Sequence, residues 1–323
     1  MKKPSTGLLL VFLGPALMVL IAGGFFYLYQ RNEQRADPDF DASVARPAYT
    51  DRHPRVLFDE AHRNFHTTAG RYRPFVELLR NDGYQVSPNR QPFSAHALAG
   101  SAVLVIANAR GPDEQGAQAA FTEGECDAVR NWVQGGGSLL LIVDHYPYGP
   151  AAESLARRFG VELRPGLTED PAHHGPAADP SQLLFSRANG LLADHPVTRG
   201  RDPSERVGRV ETFTGTSLTG PAGSAALLRL SEKAVDLAPE VKVEQAGRTT
   251  RTTVTYGRPT AAAGRAQGVA FEFGKGRVVA LGEAAMLTAQ LDPDGNRFGM
   301  NLPGNDNRQF ALNLLHWLSG LLD

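Results

Sequence analysis

The chain has 323 residues, of which 42% are hydrophobic and 21% are charged, and this composition excludes a disordered or collagen-like protein. Lys and Arg (33 residues) balance Asp and Glu (34 residues), and no basic block stands out, so we expect no nucleic-acid partner. A single cysteine, Cys126, excludes an internal disulfide framework.

The first thirty residues predict a short cytoplasmic tail and a transmembrane helix. After Lys2 and Lys3, residues 7–29 carry no charge, and a helix of this length spans roughly 30 Å of hydrocarbon. A cleaved signal peptide is the alternative, although its apolar region would be shorter, about 7–15 residues. Because short amino-terminal tails usually stay inside, we expect a single-pass membrane protein with its remaining residues outside the cytoplasm. A domain that faces the cytoplasm is the alternative orientation.

Residues 31–54 are predicted to form a linker, because they are polar and contain Pro38, Pro47 and Pro54. A folded domain is then expected over residues 55–323. Its first half alternates short apolar runs with helical patterns. Strands are predicted at 56–58, 84–86, 102–107 and 138–143, and one helix opens with the capping-box spacing of Thr122 and Glu125. Because parallel strands need crossover connections, this alternation predicts an α/β fold with a mainly parallel sheet.

The second half of the domain is less regular. Residues 165–210 are rich in Pro, Gly, His and Asp, which is typical of a functional or mobile segment. Residues 225–281 predict a β-rich extension, with strands at 241–243, 252–256, 269–273 and 278–281. Two of these strands are expected to extend the sheet antiparallel. An amphipathic helix over 310–321 is predicted to pack on the sheet at the end of the chain.

Candidate ligand-binding residues follow the predicted strands, because ligands of open α/β sheets bind beyond the carboxyl ends of the strands. The polar side chains at those positions are Asp59, Glu60, His62, Asn64, Asn108, Arg110, Asp144, His145 and Glu283. Histidines and carboxylates together can hold a divalent metal or share acid-base chemistry. The alternative is that Asp59 and Asp144 cap helices and that the histidines are solvated loop residues.

No covalent or nucleotide chemistry is indicated by the sequence. Cys126 lies in phase with Val129 and Val133, so we expect a buried structural thiol. The chain has no G-x-S-x-G elbow, no Walker loop and no G-x-G-x-x-G after a strand. We therefore assign no catalytic nucleophile, no cofactor and no metal ligand.

Three segments carry a family resemblance: the run from Val56 to Asn64, the run from Trp132 to Leu141, and Gly282-Glu283 followed by the stretch 305–318. Together they resemble the class I glutamine amidotransferase-like domains of membrane-anchored bacterial proteins, relatives of gliding-motility ABC-transporter accessory proteins. The resemblance covers about residues 55–320. It implies a flavodoxin-like sheet with helices on both faces, a lost nucleophile and a bacterial cytoplasmic membrane. Where relatives end the late strand with a Gly-Asp-Ser-Asp-like run, this chain has Glu283 and two alanines.

The leading hypothesis is a membrane-anchored, non-catalytic binding or accessory domain of the cell envelope. One alternative is a hydrolase that uses Asp59, His62, Asp144 and His145 around a metal or a water molecule. A second alternative is a structural subunit of an ABC-type envelope transporter, which would make that transporter the protein partner.

Overall fold

The computed structural model describes residues 33–175, 179–246 and 249–323, which form a mixed α/β fold with several sheets. The helices are α1 Arg73–Asn81, α2 Ala95–Leu98, α3 Glu123–Gln134, α4 Tyr148–Arg158, α5 Pro196–Arg199 and α6 Asn307–Leu318, with 3-10 turns at Pro203–Glu205 and Ala285–Leu287. The strands are β1 Arg35–Ala36, β2 Arg55–Asp59, β3 Gln85–Asn89, β4 Val103–Ala107, β5 Ser138–Ile142, β6 Glu162–Leu163, β7 Leu167–Glu169, β8 Leu184–Ser186, β9 Arg209–Glu211, β10 Leu218–Thr219, β11 Ala225–Arg229, β12 Val235–Ala246, β13 Thr249–Ala261, β14 Ala266–Phe273, β15 Gly276–Leu281, β16 Ala289–Leu291 and β17 Arg297–Gly299.

The central sheet places five parallel strands side by side, in the order β3-β2-β4-β5-β15. Numbered along the chain, this order is 2-1-3-4-5. The predicted α/β class is confirmed. β14 then adds antiparallel to β15, and β10, β6 and β11 complete the edge. We expected two late strands to run antiparallel, but β15 runs parallel to β5. The reason is that β14 and β15 form one hairpin and therefore run in opposite directions, so only one of them can be antiparallel to β5.

Two apolar cores lie on the two faces of this sheet. One core contains α1 and α6, with Phe75 and Phe310 fully buried, and the other contains α3 and α4, with Val129 and Leu155 fully buried. β4 and β5 are buried along their whole length, which explains why both are continuous apolar runs. The carboxyl ends of β4, β5 and β15 are in register, so the loops that follow leave the sheet at one level.

The β-rich extension is present, but most of it forms a separate sheet. β12 and β13 make a long hairpin, and β7 pairs only with the first residues of β12. Beyond Leu237 the hairpin strands are therefore paired only with each other. Val241 and Val243 lie in this part and are exposed.

Residues 33–54 do not behave as the extended linker that the sequence predicts. β1 pairs with β16, and Ala42 and Tyr49 are buried in the core that contains α1 and α6. In this core the ring of Tyr49 packs edge-on against the ring of Tyr84, with ring centroids 4.9 Å apart. The predicted transmembrane segment lies outside the described residues. Among the residues that are described, no helix has the length and apolarity to cross a membrane.

Candidate functional site

The polar residues that follow the parallel strands separate into two groups. Asp59, His62 and Asn64 form a hydrogen-bonded network with Glu125, which we call the closed network. Asn108, Asp144, His145 and Glu283 lie together at the ends of β4, β5 and β15, and we call them the open cluster. The sequence therefore predicted that these residues lie near strand ends but did not show that they form two groups.

In the closed network, His62 is held through both ring nitrogens. Nδ1 lies 2.9 Å from both carboxylate oxygens of Asp59, and Nε2 lies 2.9 Å from Oε1 of Glu125. Burial opposes charging of the ring, but the two carboxylates outweigh it and raise the pKa of His62. Asn64 donates to Asp59 over 3.0 Å. An imidazolium between two carboxylates has no free nitrogen, so His62 cannot act as a base or a metal ligand in this arrangement.

Glu125 is the member of this network that our site prediction omitted, although its capping-box spacing was visible. Burial favours its neutral form, yet hydrogen bonds from Thr122, His62 and the Phe93 backbone lower its pKa to about 2. The rings of Phe93 and Phe121 cover His62 at centroid distances of 4.6 and 4.7 Å. The network therefore ties the loop after β2 to the start of α3.

Glu60 and Arg110, the two remaining candidates, hold loops in place. Glu60 accepts hydrogen bonds from the backbone and hydroxyl of Thr68 and faces Arg90 at 3.3 Å. Arg110 donates from its backbone to the His62 carbonyl and from its guanidinium to Gln115. Neither residue lines the cavity described below.

The open cluster contains two buried carboxyl groups. Glu283 is fully buried and accepts hydrogen bonds from the backbone N–H groups of Ala285 (2.6 Å) and Met286 (2.7 Å). Burial, together with the neighbouring Asp144, raises the pKa of Glu283 well above its usual value. Burial also raises the pKa of Asp144. Two like charges in one apolar site oppose each other, so Glu283 is the carboxyl that holds its proton.

Asn108 joins β4 to this pair through an uncommon backbone conformation. Its φ of 51° lies in the left-handed region, where Asn is tolerated better than most residues. The side chain is buried and hydrogen-bonds to Asp144. His145 follows directly, with Nε2 at 3.8 Å from the Asp144 carboxylate and Nδ1 at 2.8 Å from the hydroxyl of Tyr256 on β13. This contact links the hairpin to the open cluster.

Three of the four residues of the open cluster border a cavity of about 720 Å³, a volume in the range of small-molecule sites, whereas Glu283 does not line it. Asn108, Asp144 and His145 line it, and the other walls come from segments far apart in sequence. These walls include Gln34, Phe65, His66, Arg71, Tyr148, Asp179, Gln182, Glu211, Phe213, Gln290, Asp292, Arg297 and Phe298. The segment 165–210, expected to be functional or mobile, contributes Asp179 and Gln182.

Sequence reasoning missed the wall residues because their own strands and loops give no local signal. His66 illustrates the difficulty, since nothing around it in the sequence predicts that it packs on Tyr72, with ring centroids 4.7 Å apart. Burial lowers the pKa of His66 to about 3, so its ring is neutral. Burial also favours the neutral form of Tyr148 and raises its pKa to about 12, so its hydroxyl keeps its proton. The cavity is thus lined by the neutral aromatic rings of His66 and Tyr148 together with the carboxyl group of Asp144.

The chemistry that this cavity offers is hydrogen bonding and apolar contact. No serine or cysteine is among its lining residues in the described part of the chain. Cys126 is buried in α3 instead, as predicted, with Sγ 3.6 Å from the hydroxyl of Ser154. In residues 33–175, 179–246 and 249–323, no three His, Cys, Asp or Glu side chains are grouped so that they could hold a metal ion.

Solved structures with a similar overall shape share little sequence with this chain. The IFT52 N-terminal domain (mmIFT52) superposes with a TM-score of 0.56 at 13% identity, over 82% of this chain and 97% of that one. Two cytoplasmic proteins of Salmonella typhimurium cover the same 82% of this chain and 99% and 98% of their own, with TM-scores of 0.48 and 0.47 at 14% and 12% identity. At these identities the likeness concerns the fold alone.

Sequence comparison identifies the family. No curated protein matches the chain. A family model described as a domain of unknown function, DUF4350, matches residues 64–315, which include β4, β5, β15 and the whole open cluster. Because the match covers well over half of the sequence, the chain belongs to the DUF4350 family.

Proposed function

We propose that this protein is a membrane-anchored domain that binds a small ligand without forming a covalent bond to it. The observation that carries the proposal is the cavity of about 720 Å³ at the carboxyl ends of β4, β5 and β15. This is the place where open α/β sheets bind their ligands. Its few polar strand-end residues and its aromatic walls resemble the composition of small-molecule sites in general.

The order 2-1-3-4-5 of the parallel strands agrees with a flavodoxin-like sheet, the fold that the amidotransferase-like resemblance implies. In our proposal the chain keeps that fold and lacks its nucleophile. After β5 the chain continues through Val143 into Asp144 and His145, with no serine or cysteine between them. A binding role follows from a preserved crevice without a nucleophile.

The hydrolase alternative is weaker than the binding proposal. It needs Asp59 and His62 to act together with Asp144 and His145. His62 has both ring nitrogens engaged by Asp59 and Glu125, and neither Asp59 nor His62 lines the cavity. In His145 only Nδ1 is engaged, by Tyr256 and the Tyr146 carbonyl, so the argument against the hydrolase rests on Asp59 and His62. An accessory role toward an envelope or ABC-type transporter partner stays a prediction from the sequence resemblance.

Membrane anchoring by residues 7–29 would place the cavity close to the bilayer. Gln34 lines the cavity and lies five residues after Tyr29, the end of the uncharged segment. Five residues span at most roughly 18 Å. The ligand would then be taken up near the membrane surface, on the extracytoplasmic side in the orientation that we propose.

The test is to purify the full-length chain from membranes and to measure bound small molecules by native mass spectrometry. A ligand that fills the cavity should be retained by the natural protein and lost from Thr214→Trp, because Thr214 lines the cavity and a large ring there occupies ligand space. Thr253→Trp, on the exposed part of the hairpin, is the matched control and should retain the molecule.

Three results would contradict the proposal. Recovery of the full chain in the soluble fraction would rule out the anchor. Equal retention of the molecule by Thr214→Trp and Thr253→Trp would show that it binds outside the cavity, and absence of any bound molecule in all three proteins would remove the binding function.

A further inference from the structure

Four residues that line the cavity carry a buried polar atom that has no hydrogen-bond partner in the described part of the chain. Each of these side chains is at most 4% exposed. The atoms are His66 Nδ1, Asn108 Oδ1, Glu211 Oε1 and Gln290 Oε1. An unpartnered buried polar atom destabilises the fold. The cavity is the space that these four residues share, so a ligand in it is the candidate source of the missing partners.

The orientations of the two amides are fixed by their neighbours. The hydroxyl of Thr288 donates to the Ala285 carbonyl over 2.7 Å, so its oxygen accepts from Nε2 of Gln290 at 2.8 Å. Gln290 Oε1 is therefore the free atom. Asn108 similarly uses its amide N–H toward Asp144, which leaves Oδ1. Both free atoms are oxygens that can only accept hydrogen bonds.

Glu211 adds a third unpartnered hydrogen-bond acceptor and a carboxyl group to the cavity. Its Oε2 faces Arg209 at 3.3 Å, while Oε1 has no partner and lies beside Gly175. Carboxyl groups outnumber guanidinium groups around the cavity: Asp144, Asp179, Glu211 and Asp292 against Arg71 and Arg297. Arg297 lies 3.8 Å from Asp37, and Arg71 lies over the Phe65 ring at 4.7 Å. The cavity is thus rich in hydrogen-bond acceptors and in carboxyl groups, of which Asp144 and Glu211 have pKa values raised by burial.

We propose that the cavity selects a ligand with a primary ammonium group. This inference rests on the proposed binding function and specifies its ligand class. An ammonium has three donors, no acceptor and a positive charge, which matches unpartnered oxygens beside carboxylates. The aromatic side chains Phe65, Tyr148 and Phe213 on the walls add favourable contacts to an organic cation.

Four four-carbon compounds test this proposal, because they differ only in their end groups: putrescine with two ammoniums, 4-aminobutyrate with one, 1,4-butanediol with none and succinate with two carboxylates. Each is added at millimolar concentration to the full-length protein, and the melting temperature is measured. Putrescine and 4-aminobutyrate should raise it by about 2–4 °C, whereas butanediol and succinate should leave it unchanged.

Two carboxylate variants locate the effect. Glu211→Gln keeps the shape of the side chain and removes the charge, so it should weaken the affinity for putrescine about tenfold. Glu153→Gln on the exposed face of α4 is the matched control and should bind putrescine as the natural protein does. Equal affinities in the two variants would overturn the proposed role of Glu211.

The outcomes also separate this inference from the proposed function. A melting shift with succinate or butanediol alone, abolished by Thr214→Trp, would overturn the ammonium proposal and leave a binding cavity. A putrescine shift that persists in Thr214→Trp would place the amine elsewhere and overturn the ammonium proposal too. No shift with any compound, together with no retained molecule in the natural protein, would overturn both.

Discussion

The closed network and the open cluster contain the same residue types at the same edge of one sheet, yet they differ in how fully their polar atoms are paired. In the closed network, His62 contacts Asp59 and Glu125 at 2.9 Å, and aromatic rings cover it. In the open cluster, Asp144 and Glu283 share a buried space in which their pKa values rise, and Asn108 keeps a free oxygen.

This difference separates stabilising groups from groups available to a ligand. Oppositely charged partners satisfy each other in the closed network, and little hydrogen-bonding capacity is left over. Two carboxyl groups cannot satisfy each other in the same way, so the open cluster depends on backbone donors and on whatever enters the cavity. Proximity to a strand end is therefore a weaker sign of function than unpaired polar atoms around a cavity.

The largest expected effect is the loss of stability on removing His62. His62→Ala leaves Asp59, which is fully buried, and Glu125 without their cationic partner, and breaking a buried charge pair costs about 3–5 kcal/mol. The measurement is urea unfolding of the variant and the natural protein. Because the pKa of His62 is raised in the folded state, its stabilisation is complete below about pH 6.5 and is lost as the pH rises through the raised value.

His145→Ala is the matched control from the open cluster. Its ring is partly exposed and contacts Tyr256 and the Tyr146 carbonyl, so the substitution should cost about 1 kcal/mol or less. A similar loss of stability in His62→Ala and His145→Ala would contradict the distinction between the two groups.

Two Glu→Gln substitutions should have opposite effects on stability as the pH changes. The folded state holds the Glu283 proton more tightly than the unfolded chain, so the natural protein loses stability as the pH rises above about 4.3. The stability of Glu283→Gln relative to the natural protein should therefore rise by on the order of 1 kcal/mol between about pH 4 and about pH 8. At about pH 4 the variant should be the less stable protein, because its amide NH2 replaces one of the two oxygens that accept from the backbone N–H groups of Ala285 and Met286.

Glu125→Gln provides the contrast within the same experiment. The pKa of Glu125 is lowered to about 2, so its charged form stabilises the fold above about pH 4.3, and this stabilisation is lost as the pH falls toward 2. The substitution should cost about 1.5–3 kcal/mol at neutral pH. If the stability of both variants relative to the natural protein changed with pH in the same direction, the two carboxyl groups would have similar environments, which would contradict the structure.

The sequence was sufficient to predict the central sheet and most strand-end residues. Continuous apolar runs in β4 and β5 and the capping box at Thr122 are local signals, and they give the strands, the crossover helix and the positions of Asn108 and Asp144. The cavity walls formed by Glu211 and Gln290 depend on how segments far apart in sequence pack together, and hydrophobic periodicity carries no information about that packing. The pairing of β1 with β16 was missed for the same reason, because a short polar strand carries no periodic pattern.

The smallest effect concerns the contact between the hairpin and the open cluster. Tyr256 places its hydroxyl 2.8 Å from His145 Nδ1, and burial raises its pKa to about 12, so the hydroxyl keeps its proton. Tyr256→Phe should cost about 0.5–1 kcal/mol and accelerate amide hydrogen exchange over residues 239–245, because β7 supports only the start of β12. Tyr146→Phe is the control, since its hydroxyl has no hydrogen bond in the described structure and exchange in the hairpin should not change. Equal exchange in both variants would mean that the pairing with β7 alone holds the hairpin beside the cavity.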